Sequence, residues 1–90
     1  MIARCRFQQG RKIELSVLDI SPIGCLVERR AWSAQVDERV LVQLEGLGFL
    51  PARVSWIEDE LAGIEFEELL HETVLMRLKE SLARAKSAAA

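Results

Sequence analysis

The chain has no tyrosine, three phenylalanines, two tryptophans, one histidine, two prolines and two cysteines. Each scarcity removes a class of function. Single strands of nucleic acid are held on aromatic platforms inside a basic groove; with so few aromatics and a formal net charge of −2, neither DNA nor RNA is an expected partner. One histidine, His71, with no Ser or Cys nucleophile nearby in sequence, assembles no triad. No catalytic residue and no enzymatic activity are therefore expected, and His71 reads as a solvated residue in the first turns of a helix. Two cysteines and one histidine, widely separated, lack the spacing of a zinc site, so no metal and no resident cofactor are expected. Cys5 and Cys25 fall on strand-like stretches and read as buried free thiols. Phosphate-binding loops of the Walker type and the Rossmann glycine pattern are absent. No apolar run approaches the roughly 20 residues that cross a bilayer, and Met1–Arg6 lacks the apolar block of a signal peptide. The expectation is a cytoplasmic protein with no membrane insertion.

What is there is a chain of 90 residues, 50% hydrophobic, enough for one small domain. Alternation of apolar and polar residues marks strands at Ala3–Gln8, Lys12–Asp19, Gly24–Glu28, Arg39–Glu45, Phe49–Ile57 and Leu61–Phe66. Period 2 places Ile13, Leu15 and Val17 inward on the second strand, and Ala52, Val54 and Trp56 inward on the fifth. Phe7, Phe49 and Phe66 read as inward or bound in turns. Pro51 removes a ladder donor and belongs at an edge or bulge. Ala31–Glu38 has no period and reads as a crossing loop, with Trp32 either pinning it to the core or stacking on a ligand. Six short strands joined mostly by turns close naturally into an antiparallel barrel, which leaves no exposed edge.

From about Glu67 the period becomes helical: Leu70, Val74, Leu75, Leu78, Leu82 and Ala85 form one apolar stripe, with no strong N-cap before it. Leu69, Met76 and Ala83 form a second, weaker line that suits core packing, a protein partner or a second copy. The expected domain is 1–86, with a barrel over about 3–66, a helix over about 67–86 and a frayed tail at 87–90. Charge is uneven: residues 1–30 hold six basic and three acidic side chains, and the remaining sixty hold six and eleven.

The basic charge gathers around Val17–Arg30, where two strands meet at the corner Asp19-Ile20-Ser21-Pro22-Ile23-Gly24. Asp19 and Ser21 can hydrogen-bond nearby backbone, Pro22 fixes its own φ, and Gly24 is free to take a positive φ. Those properties suit either a purely structural turn or a polar tip for an anionic or hydrogen-bonding ligand.

This segment fits the D/N-x-S-x-x-G motif of the PilZ family. The order of the other elements is similar too: Ala52-Arg53-Val54-Ser55-Trp56, then Ala62-Gly63-Ile64-Glu65-Phe66, then a C-terminal helix. The resemblance covers nearly the whole chain. It implies a six-stranded antiparallel PilZ-like (split) β-barrel and a bacterial receptor module for the second messenger cyclic di-GMP. It also implies that Asp19, Ser21 and Gly24 line the nucleotide site. Binding members carry an R-x-x-x-R motif before the first strand. Residues 1–12 hold Arg4, Arg6 and Arg11 at other spacings, so Arg4, Arg6, Arg29 and Arg30 are the arginines available to substitute. The expected function is cyclic di-GMP binding, weak if that substitution is incomplete, with the signal passed to an unidentified protein partner by a monomer or weak homodimer. The alternative is a nucleotide-independent adaptor acting through protein contacts alone.

Overall fold

The computed structural model describes residues 1–7, 10–29 and 35–88. Arg30, Trp32 and the first part of the crossing loop lie outside the described residues. Alternating burial produces six strands: β1 (Ile2–Phe7), β2 (Lys12–Ser21), β3 (Gly24–Glu28), β4 (Arg39–Gln43), β5 (Phe49–Glu58) and β6 (Leu61–Phe66), followed by helix α1 (Glu72–Ala88). The strands pair antiparallel into a closed barrel in the order β1-β2-β3-β6-β5-β4. The expected barrel with a C-terminal helix is the fold of this chain.

Short loops set the pairing. Gly10 takes φ 84° and Gly46 φ 79°, in the region open to glycine, and Asp59 takes φ 52° in the two-residue loop between β5 and β6. Pro51 pairs with Leu41 on one side, while β6 ends opposite Ala52 on the other, so its missing N–H falls past the end of that strand. Ala3, Cys5, Phe7, Leu15, Val17, Ile20, Cys25, Val27, Val40, Val42, Leu44, Ala52, Val54, Ala62, Ile64 and Phe66 fill the interior, and Leu78 and Leu82 of α1 join them. Burying each of those two leucines is worth about 1.5–3 kcal/mol. Cys5 and Cys25 are free and buried, as expected. Burial pushes both thiols up to about 12, and for Cys25 the neighbouring Cys5 adds to the rise.

The helix starts later than its periodicity suggests. The segment 67–71 is outside the helix, and its backbone is tied to the barrel: Glu67 N–H donates to Pro51 O on β5 at 3.0 Å and Leu70 N–H to Pro22 O in the β2–β3 corner at 2.9 Å. His71 stands immediately before α1 and its Nδ1 accepts the Thr73 N–H at 3.2 Å. It is thus the cap of the helix, although histidine is not among the residues preferred there.

Two one-residue bulges correct the strict period-2 reading. On β2 the register steps from Val17↔Val27 to Asp19↔Leu26, and on β5 from Val54↔Ile64 to Trp56↔Gly63. An extra residue reverses the inward–outward phase beyond it. Asp19, which alternation from Leu15 and Val17 would bury, faces out, and Ile20 faces in. Trp56, expected inward, is 38% exposed. Phe49 is also exposed, on the outer face opposite Gln43.

A recess across four strands at the β2–β3 corner

Both bulges deliver their outward residues to one place. A recess of about 220 Å³ on the outer face is lined by Asp19, Ser21, Gly24 and Leu26 on one side and by Trp56, Gly63 and Glu65 on the other. It crosses β2, β3, β6 and β5, which are neighbours in that order. Gly24 and Gly63 lie in its floor, on the neighbouring strands β3 and β6.

Gly24 owes its place to space, not to φ. The described glycines with positive φ are Gly10 and Gly46; at Gly24 an added Cβ would overlap the carbonyl oxygen of Ile64 and lie 3.0 Å from its carbon. The positive φ expected there is corrected accordingly. At Gly63 an added Cβ would collide with the Trp56 indole, 2.6 Å from Cε2. The side chain of Trp56 therefore lies against a bare strand. Strict alternation places Trp56 in the core; the signal in the sequence for its outward position is the glycine across from it on β6.

The corner is held by its own side chains. Asp19 Oδ1 accepts the Ile20 N–H at 2.9 Å, Ser21 Oγ accepts the Ile23 N–H at 3.3 Å, and the Ser21 hydroxyl donates to Gly24 O at 3.4 Å. Phe66 N–H donates to Ile23 O at 2.8 Å. An ionised carboxylate has about four acceptor positions, so Asp19 keeps most of its capacity for a ligand.

The arginines are distributed elsewhere. Arg4 lies opposite Glu14 and pairs with it at 3.6 Å, and Arg6 lies opposite Lys12, five and seven residues down β2 from Asp19. Arg6 lines a separate groove with Arg39 and Glu67. Arg29 follows the far end of β3, about 16 Å along the strand from Gly24, where its Nε donates to Asp59 O at 2.7 Å. The structure brings Asp19, Ser21 and Gly24 together and holds Arg4, Arg6 and Arg29 apart from them; Arg30 lies outside the described residues. Arg53, an outward residue of β5 by alternation, is bound to the recess wall: its Nη2 donates to Glu65 Oε1 at 3.1 Å.

Among the described residues no group of three or more His, Cys, Asp or Glu is placed to hold a metal ion, and no helix is long and apolar enough to cross a membrane. Neither the curated proteins nor the solved structures compared with this chain give a match. The PilZ domain family model does match, over residues 2–84. That span takes in the barrel, the corner with its D-x-S-x-x-G motif, and most of α1, so this chain belongs to the PilZ domain family of binding and adaptor modules.

Proposed function

We propose that this domain is a bacterial, cytoplasmic receptor for cyclic di-GMP that passes ligand occupancy to a protein partner. The observation that carries the reading is the convergence of Asp19, Ser21, Gly24 and Trp56 on one recess. A carboxylate accepts two N–H donors from a guanine edge, and an exposed indole beside it gives the base a stacking surface. A volume of about 220 Å³ is below the usual range for a whole drug-sized ligand. One guanine occupies the recess and the rest of the dinucleotide lies across the open surface.

A backbone amide NMR titration with cyclic di-GMP tests this. Saturable shifts at residues 19–26 and at the Trp56 indole N–H, lost in Asp19→Ala, are expected. No shift at millimolar ligand would end the nucleotide reading.

A second reading, an adaptor that works by protein contact without nucleotide, is favoured by three exposed apolar side chains beside the corner and on the helix: Ile23 (58% exposed), Leu69 (73%) and Met76 (58%). The Leu70 N–H to Pro22 O bond holds the first two segments together. Under this reading a partner is captured equally well by wild type and by Asp19→Ala, and lost in Leu69→Glu.

A further inference from the structure

The recess is acidic. Asp19 and Glu65 line it, and among the described residues no arginine or lysine lines it. Cyclic di-GMP has two phosphodiesters and brings two further negative charges, which a cation at the recess wall would offset. Arg4 and Arg6 lie opposite Glu14 and Lys12, five and seven residues down β2 from Asp19, Arg39 lines a separate groove with Glu67, and Arg29 lies at the far end of β3. Among the described residues Arg53 alone is ion-paired to a residue of the recess wall.

Its position is fixed by register. Arg53 is directly opposite Glu65 across β5 and β6, and Glu65 is opposite Gly24 across β6 and β3. The guanidinium therefore stands one strand beyond the recess floor, on the same outer face. It is held between Glu65 at 3.1 Å and Asp37 at 3.8 Å, and its side chain is about half exposed (53%). Both carboxylates are exposed, so neither bond is strong enough to keep a flexible arginine from a better anion. A guanidinium forms paired, charge-assisted bonds with phosphate oxygens as readily as with a carboxylate.

Building on the nucleotide reading above, we infer that Arg53 is the phosphate-binding residue of this site and that Glu65 is its competitor, holding the guanidinium until a phosphate displaces it. The two members of the pair then have opposite effects on binding. Removing the cation weakens the ligand. Removing the carboxylate strengthens it, because the arginine no longer has to be taken from a partner and one repelling charge is gone. A pair with only a structural role gives the same sign for both changes.

The experiment is a calorimetric titration of the full chain with cyclic di-GMP, using Arg53→Gln, Arg53→Lys, Glu65→Gln and the double variant, with thermal melts to verify folding. Expected are a loss of at least tenfold in affinity for Arg53→Gln, partial retention for Arg53→Lys and a several-fold gain for Glu65→Gln. That gain disappears in the Arg53→Gln background. By NMR, Arg53→Gln should also weaken GMP while leaving guanosine unchanged. Saturable binding by wild type with both single variants weakened, or both unchanged, overturns the role of Arg53 and leaves the receptor reading standing. No binding by wild type overturns both.

Discussion

Asp19 on β2 and Trp56 on β5 are separated by two intervening strands, yet both face the same recess because each follows a one-residue bulge that turns it outward. Either side chain would enter the barrel if its strand kept strict alternation. A buried, unpaired carboxylate costs several kcal/mol, and a buried indole would displace the existing core. The bulges avoid both costs and place a hydrogen-bond acceptor and an aromatic face beside a glycine floor.

The two floor glycines should differ sharply in tolerance. Gly24→Ala meets the backbone of Ile64, which is fixed in the β3–β6 ladder, and is expected to cost about 2–3 kcal/mol. At Gly63→Ala the nearest atoms are those of the Trp56 indole, which is part exposed and can turn away; its cost should stay under about 1 kcal/mol because alanine also suits a strand better than glycine. Urea denaturation of both variants measures the difference. Trp56 fluorescence, read in a Trp32→Phe background, should shift only in Gly63→Ala.

Helix α1 belongs to the core of the barrel. Leu78 is 1% exposed and packs with the interior strand residues. Leu78→Ala is expected to lose about 2–5 kcal/mol, much of the roughly 5–15 kcal/mol available to a small domain. A fall in melting temperature of at least 10 °C on a thermal scan is the expected readout.

His71 caps α1 through a ring nitrogen at 3.2 Å from the Thr73 N–H. Aspartate at this position offers a shorter acceptor and a negative charge at the positive end of the helix dipole. His71→Asp should stabilise the domain by about 0.5–1 kcal/mol, which raises the melting temperature by several degrees.

Alkaline pH should destabilise the fold through its thiols. Burial holds Cys5 and Cys25 protonated up to about 12, against 9.0 for a solvated thiol. Below pH 9 the folded and unfolded chains bind these protons equally, and nothing is lost. Between about pH 9 and 12 the unfolded chain releases them and the folded chain does not, so stability falls as pH rises. Each thiol contributes a slope of up to about 1.4 kcal/mol per pH unit. Denaturation midpoints from pH 8 to 11 should decline less steeply in Cys5→Ala than in wild type. The absence of tyrosine removes phenol titration from the comparison. A thiol reagent at pH 8 should react with neither cysteine until the protein unfolds.

The strand count, the barrel, the C-terminal helix and the corner motif are legible in the order of the residues alone. Those features follow from local chemistry: alternation at period 2 in Ala3, Cys5 and Phe7, a switch to helical spacing after Phe66, and short polar residues with glycine between strands. The tertiary structure decided the features in which one strand answers another. A bulge is a mismatch between two strands, so neither Val17-Leu18-Asp19 nor Val54-Ser55-Trp56 reveals it alone, and simple alternation put Trp56 in the core. The helix start depended on backbone bonds from 67–70 to Pro51 and Pro22, residues distant in sequence. Gly24 was legible as a required glycine, but its reason, the carbonyl of Ile64 on a neighbouring strand, was not. The charge grouping around the corner in sequence also dissolved in space: the barrel sends Arg4, Arg6 and Arg29 to other faces and brings Arg53 from the fifth strand to the recess wall, because closure of the sheet sets which residues are neighbours.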